Sequence, residues 1–242
     1  MFDSLFYLSG DSYPQRHHVE QALFSRLASL SSEQIGQSDL LRLAGADDFT
    51  TDIPQRLDML DRVLPAGERA RRTLLIGRSS GARVASLFAM RRQVAAVVCL
   101  GYPFREPDRL LEPERFIHLA RIQTPTLIVQ GVADPFGGIG LTEAYALSSS
   151  VTLGFFDVLH DFDLPPRGWD AVAGRILAFC GDIAAHRPAH QDPFDEDFYL
   201  RTHPGVAEAV TNGGFLSGED HYRKHGAEER RTFRLKPRSI GG

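Results

Sequence analysis

Thr73-Leu-Leu-Ile-Gly77-Arg-Ser79-Ser-Gly81-Ala-Arg-Val-Ala-Ser86 joins a short apolar run directly to a helix-forming one. The pattern Gly-x-Ser-x-Gly is common by chance, and its weight here comes from position: it links a predicted strand, 73–76, to a predicted helix from Ser80 to about Met90. A nucleophile at that point sits in a tight, strained turn. A bulky side chain two residues to either side would collide with neighbouring backbone, and Gly77 and Gly81 supply the room. The helix starts Ser80-Gly81-Ala82, so its first amides and positive dipole end face Ser79, and the Ser80 amide is a natural oxyanion donor. The bland alternative is a Gly/Ser-rich cap that only turns the chain.

Around this segment, apolar runs alternate with helical patterns, which predicts a mostly parallel sheet covered on both faces. Strands are expected at 5–8, 34–37, 73–76, 94–100, 126–130 and 151–156. Helices are expected over 18–30, where Val19, Leu23, Leu27 and Leu30 form one stripe, and from Pro54 onward, carrying Leu57, Leu60 and Val63. Further helices are expected near 113–120, 141–147 and 169–179, whereas 40–51 shows no clear pattern.

A serine hydroxyl needs a base to act at neutral pH. Asp134 lies just past the strand at 126–130, and His160 just past the strand at 151–156. The order Ser79, Asp134, His160, each at the carboxyl end of a strand, fits a nucleophile, an orienting acid and a proton-shuttling histidine. Singly, Asp134-Pro135 reads as an ordinary turn and His160, among Asp157, Asp161 and Asp163, as a surface histidine. A second oxyanion donor is expected from the loop after the first strand, around Gly10 and Asp11, although Asp11 brings negative charge towards that place. Tyr102, Phe104 and Phe136 are candidates to line the pocket mouth.

At 242 residues the chain can bury a sizeable core without disulfide staples, and Cys99 and Cys180 each lie in an apolar run, as reduced buried thiols do. The formal charge of −4 gives no electrostatic reason to expect nucleic acid. No stretch reaches a membrane span, and the first residues lack the basic and apolar regions of a secretory signal, so a cytoplasmic location is expected. No phosphate-binding glycine loop of either standard pattern is present, and no cofactor is expected. The pairs His17-His18, His186/His190 and His221/His225 are read as structural, and no metal is expected.

The composition changes near Ala184. The expected organisation is a main domain over 1–184, a polar, proline-bearing linker over 185–193, and a small helical module with a basic tail over 194–242. From Asp220 onward there are seven Lys or Arg and three Asp or Glu, read as a solvated end.

Four segments, 75–86, Leu100-Gly-Tyr-Pro-Phe104, Pro125-Thr-Leu-Ile-Val-Gln-Gly-Val-Ala-Asp-Pro-Phe-Gly137 and His160-Asp-Phe162, together resemble the small α/β-hydrolase family. That group includes dienelactone-hydrolase-like proteins and the subunit-3 type of a nonspecific-lethal chromatin complex. The resemblance covers roughly 70–180 and implies a three-layer α/β-hydrolase fold without a lid, with Ser79, Asp134 and His160 at the matching positions. The family's usual His-Gly entrance is replaced here by Ser9-Gly10-Asp11. The tail from Phe194 is similar to a short helical module found in bacterial surface and glycan-related proteins. The leading expectation is a serine hydrolase acting on a small ester, thioester or related acyl substrate through an acyl-enzyme. The rival is a hydrolase-like scaffold without catalysis, whose C-terminal module meets a protein partner.

Overall fold

A computed structural model describes residues 2–140, 144–186, 195–226, 229, 231 and 232. Six strands form one sheet: β1 (Ser4–Leu8), β2 (Glu33–Ile35), β3 (Thr73–Arg78), β4 (Ala96–Leu100), β5 (Thr126–Gly131) and β6 (Val151–Phe156). Their order is β2-β1-β3-β4-β5-β6, and every neighbouring pair is parallel. β1, β3, β4 and β5 are buried at every position, as strands covered on both faces must be.

The helices among the described residues are α1 (His17–Arg26), α2 (Gln37–Ala44), α3 (Ile53–Val63), α4 (Glu68–Arg71), α5 (Ser80–Arg91), α6 (Pro166–His186), α7 (Glu196–Thr202), α8 (Pro204–Thr211) and α9 (Gly218–His221). Period-two alternation splits the core into two layers. Leu5, Tyr7, Leu74 and Ile76 meet Val19, Leu23 and Leu27 of the α1 stripe and Trp169, Val172 and Ile176 of α6. Phe6, Leu8, Leu75 and Val97 face the other way, against Leu57 and Leu60 of α3 and Val84 and Phe88 of α5. The three-layer architecture expected above is the one observed.

The chain runs from β1 outward to β2, then crosses back to β3 on the other flank of β1. The loops after β1 and β3 therefore part at a topological switch point, where open sheets of this kind leave a crevice at their carboxyl edge.

Several local expectations change. Residues 40–51, without a readable pattern, include part of α2, a two-turn helix that buries only Gln37 and Leu40 and ends at Gly45 with φ +64. The helix expected near 113–120 is two 3-10 turns, Pro113–Arg115 and Ile117–Ala120, because Leu119 alone among those residues is buried and no stripe exists to hold a longer helix. Of the helix expected over 141–147, residues 141–143 lie outside the described residues, Ala144 is helical and 145–147 are not. The C-terminal region, expected to be helical, holds three short helices among the described residues, followed by one π-turn over Tyr222–Gly226. Most of the expected linker, 187–193, and the basic end from 233 lie outside the described residues. The C-terminal helices meet the body through Arg71, 3.1 Å from Glu196, and through Ser217, whose hydroxyl donates to the Gln93 side chain at 3.2 Å.

Candidate active site

Ser79 occupies the turn between β3 and α5 with φ 52 and ψ −123, a region that a residue with a β-carbon enters only at a cost of about 1–3 kcal/mol. Two glycines make the turn possible. A β-carbon at Gly77 would stand 2.3 Å from the Gly81 carbonyl oxygen, and one at Gly81 would stand 2.1 Å from the Leu8 carbonyl oxygen. The Ser79 amide donates to the Leu100 carbonyl, which pins the turn to the end of β4. Its hydroxyl is left pointing out of the carboxyl edge.

The loops after β5 and β6 bring two further groups to that edge. His160 Nε2 lies 2.9 Å from Ser79 Oγ, and His160 Nδ1 lies 3.0 and 3.2 Å from the two carboxylate oxygens of Asp134. Asp134 is 3% exposed. A buried carboxylate needs donors, and it receives the Gln130 side-chain amide at 2.8 Å and the Phe136 backbone amide at 2.9 Å. Gln130 also donates to the Gly137 carbonyl and accepts from the Tyr102 amide, so one buried glutamine braces the loops after β4 and β5 together. The carboxylate fixes the tautomer with the proton on Nδ1, which leaves Nε2 to accept from the serine hydroxyl. Phe136 stacks on the imidazole at 4.1 Å between ring centres and 27° between planes.

The Ser80 amide opens α5, where the first amides have no intrahelical acceptor. The loop after β1 comes against the same point: a β-carbon at Gly10 would be 3.0 Å from the Ser79 β-carbon. Asp11 does not stand there as an uncompensated charge. It accepts from the Ser80 hydroxyl at 2.5 Å and lies 3.6 Å from Arg56, a guanidinium 3% exposed. Arg56 also donates to Ser80 Oγ at 2.9 Å and to the Ser9 carbonyl. Burial lowers its pKa to about 10, with Asp11 acting in the opposite direction, so it stays charged at neutral pH.

A cavity of about 400 Å³ opens over Ser79, lined among others by Asp11, Ser80, Phe136 and His160. Tyr102 and Phe104 do not line it. Both are fully buried, ring against ring at 4.8 Å, with the Tyr102 hydroxyl donating to the Arg115 carbonyl, and Pro103 between them takes the wall position. In a Tyr-Pro-Phe run leaving a strand, alternation sends one kind of side chain to the core and the other outward. Here the aromatics go in.

Sequence reasoning missed Arg56 and Gln130, and also Arg78 and Arg83, which line the cavity. Arg83 was legible as the fourth residue after Ser79 on the helix that follows it, whereas Arg56 reaches the site from a distant helix and had no local signal. Outside the cavity, His221 receives or gives a hydrogen bond with the buried Tyr199 hydroxyl at 3.1 Å, and Phe215 packs on both His221 and His225. Among the described residues no group of three or more His, Cys, Asp or Glu is arranged to hold a metal ion. No described helix is long and apolar enough to cross a membrane.

A family model described as an alpha/beta hydrolase domain matches residues 47–172. No curated protein matches the chain. Solved structures match the fold at low identity. A candidate dienelactone hydrolase from Klebsiella pneumoniae is 18% identical, over 74% of this chain and 87% of its own, with a TM-score of 0.56. A YdeN-like hydrolase candidate from Pectobacterium atrosepticum is 20% identical over 75% and 92%, at 0.52. A hydrolase candidate of the alpha/beta superfamily from Xanthomonas campestris is 15% identical over 73% and 97%, at 0.51. At such identities the likeness concerns the fold alone.

Proposed function

The chain belongs to the alpha/beta hydrolase family, and from that premise we propose that it is a serine hydrolase cleaving a small ester or thioester through an acyl-enzyme on Ser79. The observation that carries this reading is the unbroken hydrogen-bonded line from Ser79 Oγ through His160 to Asp134, at 2.9 and 3.0 Å.

In this scheme His160 Nε2 takes the Ser79 proton as Oγ bonds to the substrate carbonyl carbon. The carbonyl electrons move to oxygen, and the resulting oxyanion meets the Ser80 amide and an amide of the Gly10–Asp11 loop. Collapse breaks the bond to the alcohol or thiol, which leaves with the proton from His160. Water then gives a proton to His160 and attacks the acyl carbon, and release of the acid returns the proton to Ser79. Asp134 stays ionised throughout and stabilises the imidazolium. The segment between β4 and β5 holds only two 3-10 turns and gives little material for a lid, which favours small substrates over lipids. Two free, buried cysteines, Cys99 and Cys180, support a reducing, cytoplasmic setting. We assign the chemistry to a body over 1–184 and none of it to the helical module from 194 onward.

The test is labelling by a fluorophosphonate probe of the native protein beside Ser79→Ala and His160→Ala. Native labelling should be rapid, absent in Ser79→Ala and reduced by a factor of about 10³ or more in His160→Ala. A folded native protein that stays unlabelled overturns the proposal and leaves a binding or scaffold role as its replacement.

A further inference from the structure

The wall of the Ser79 cavity carries three carboxylates, and each is matched. Asp161 lies 3.2 Å from Arg78, Glu106 lies 2.7 Å from Arg115, and Asp11 lies 3.6 Å from Arg56. Arg83 lines the same cavity and is left over. Its guanidinium makes no hydrogen bond or ion pair to any described residue, and its Nε is shut off from solvent without a partner. A guanidinium in that state is the group in the cavity wall that an anionic ligand would satisfy.

Arg83 is also well placed to receive a group carried by a substrate on Ser79. Residues four apart share a helix face, and helical side chains lean towards the amino end, so the Arg83 stem leads back to the nucleophile. Four residues rise about 6 Å. A single unmatched guanidinium fits a single negative charge, and its planar fork suits a carboxylate bidentately. A phosphate dianion would want a second free cation, and the other cavity arginines are already paired.

We propose that the substrate is an ester or thioester with a short acyl chain that ends in a carboxylate, and that Arg83 holds that carboxylate. The proposal rests on the hydrolase reading of the same cavity. It makes substrate choice a matter of charge. A neutral acyl chain of equal length leaves the Arg83 guanidinium unmatched, whereas the charged one pairs with its terminal nitrogens.

Monomethyl glutarate and methyl pentanoate have acyl chains of equal length and differ in the terminal carboxylate, so their relative kcat/KM reads the effect directly. The native protein should prefer the charged ester at least tenfold, chiefly through KM. Arg83→Met should bring the ratio down by a factor of ten or more, and Arg83→Lys should retain part of it. No preference in the native protein, or the native ratio kept in Arg83→Met, overturns the proposal. Fluorophosphonate labelling of each variant shows that it is folded with a competent serine, and Arg83→Gln replaces any variant that is not. If the native protein cleaves neither ester and takes no label, the hydrolase reading has failed, and the anion site is judged by calorimetric titration with monomethyl glutarate. Binding that Arg83→Met abolishes supports the site. Absent or unchanged binding overturns it.

Discussion

A guanidinium buried beside the proposed oxyanion site must do two things, hold backbone in place and offset a nearby negative charge, and Arg56 does both. It donates to the Ser9 carbonyl and to Ser80 Oγ, so it ties together the two loops whose amides face the nucleophile. It also stands against Asp11, which would otherwise oppose a developing oxyanion. Arg56→Met should therefore lower kcat for a neutral ester by about 10- to 100-fold with a smaller change in KM, since the effect falls on the transition state. Adding Asp11→Asn should recover part of that loss by removing the charge Arg56 had offset. Steady-state kinetics of the single and double variants check this, and an unchanged kcat in Arg56→Met would sink it. The two residues were not equally legible. Asp11 was visible as a charge in the first strand's exit loop, whereas Arg56 lies 47 residues from Ser9 and sits in an amphipathic helix where an arginine reads as solvated. By contrast Ser79, Asp134 and His160 could be singled out because each lies within a few residues of the end of an apolar run, and sheet topology alone brings such loops to one edge.

The helix α5 carries Ser79 at one end and is held at its middle by the 3-10 turn Ile117–Ala120. His118 makes that contact. The Ser86 hydroxyl donates its one proton to the Arg83 carbonyl at 3.1 Å, leaving its oxygen to accept from His118 Nε2 at 2.8 Å. His118 Nδ1 is then an unprotonated, buried atom without a partner, while Nε2 also lies 3.4 Å from the Tyr102 hydroxyl. Burial pushes the His118 pKa from 6.5 down to about 4, and the Arg83 charge adds to the shift. The unfolded chain binds the proton first, so His118 contributes stability above about pH 6.5 that is lost as the pH falls through about 4. The full amount is at most about 3 kcal/mol. Glu20, raised by burial, works in the opposite sense, losing its contribution as the pH rises. Comparing native with His118→Gln by thermal denaturation from pH 7.5 to 4.5 isolates the histidine. The native melting temperature should fall more steeply than that of the variant, and parallel curves would contradict the assignment. The same turn shows why helix boundaries were harder to read than strands. An inner strand of this sheet is a run of buried residues and announces itself, while at 113–120 Phe116 packs edge-on against Tyr145 at 4.5 Å and only Leu119 is buried. That contact is made by loops distant in sequence, and no local period records it.

Across the whole molecule, the two edges of the sheet are used differently. The carboxyl edge holds Ser79 and its partners, and the C-terminal helices dock towards the amino edge, where α4 leads into β3 and Gln93 precedes β4. Glu196 is the centre of that attachment. Its carboxylate accepts the amides of Gly218 at 2.6 Å and Glu219 at 3.1 Å, joining α7 to the start of α9, and Arg71 pairs with it at 3.1 Å and with Glu219 at 3.8 Å. All three side chains are at most 20% exposed, so the charges are only partly screened by water. Removing the guanidinium in Arg71→Ala leaves two carboxylates facing each other and should weaken docking by about 1–3 kcal/mol. Opening of the region is then about tenfold or more frequent, and limited proteolysis should release the C-terminal helices faster by that factor. Because the attachment lies at the edge opposite Ser79, fluorophosphonate labelling should keep its native rate in the same sample. Proteolysis at the native rate would mean that other contacts, such as Ser217 with Gln93, carry the attachment. A labelling rate that falls in step with docking would mean that the module and the site are coupled through the sheet, and that the chemistry cannot be assigned to 1–184 alone.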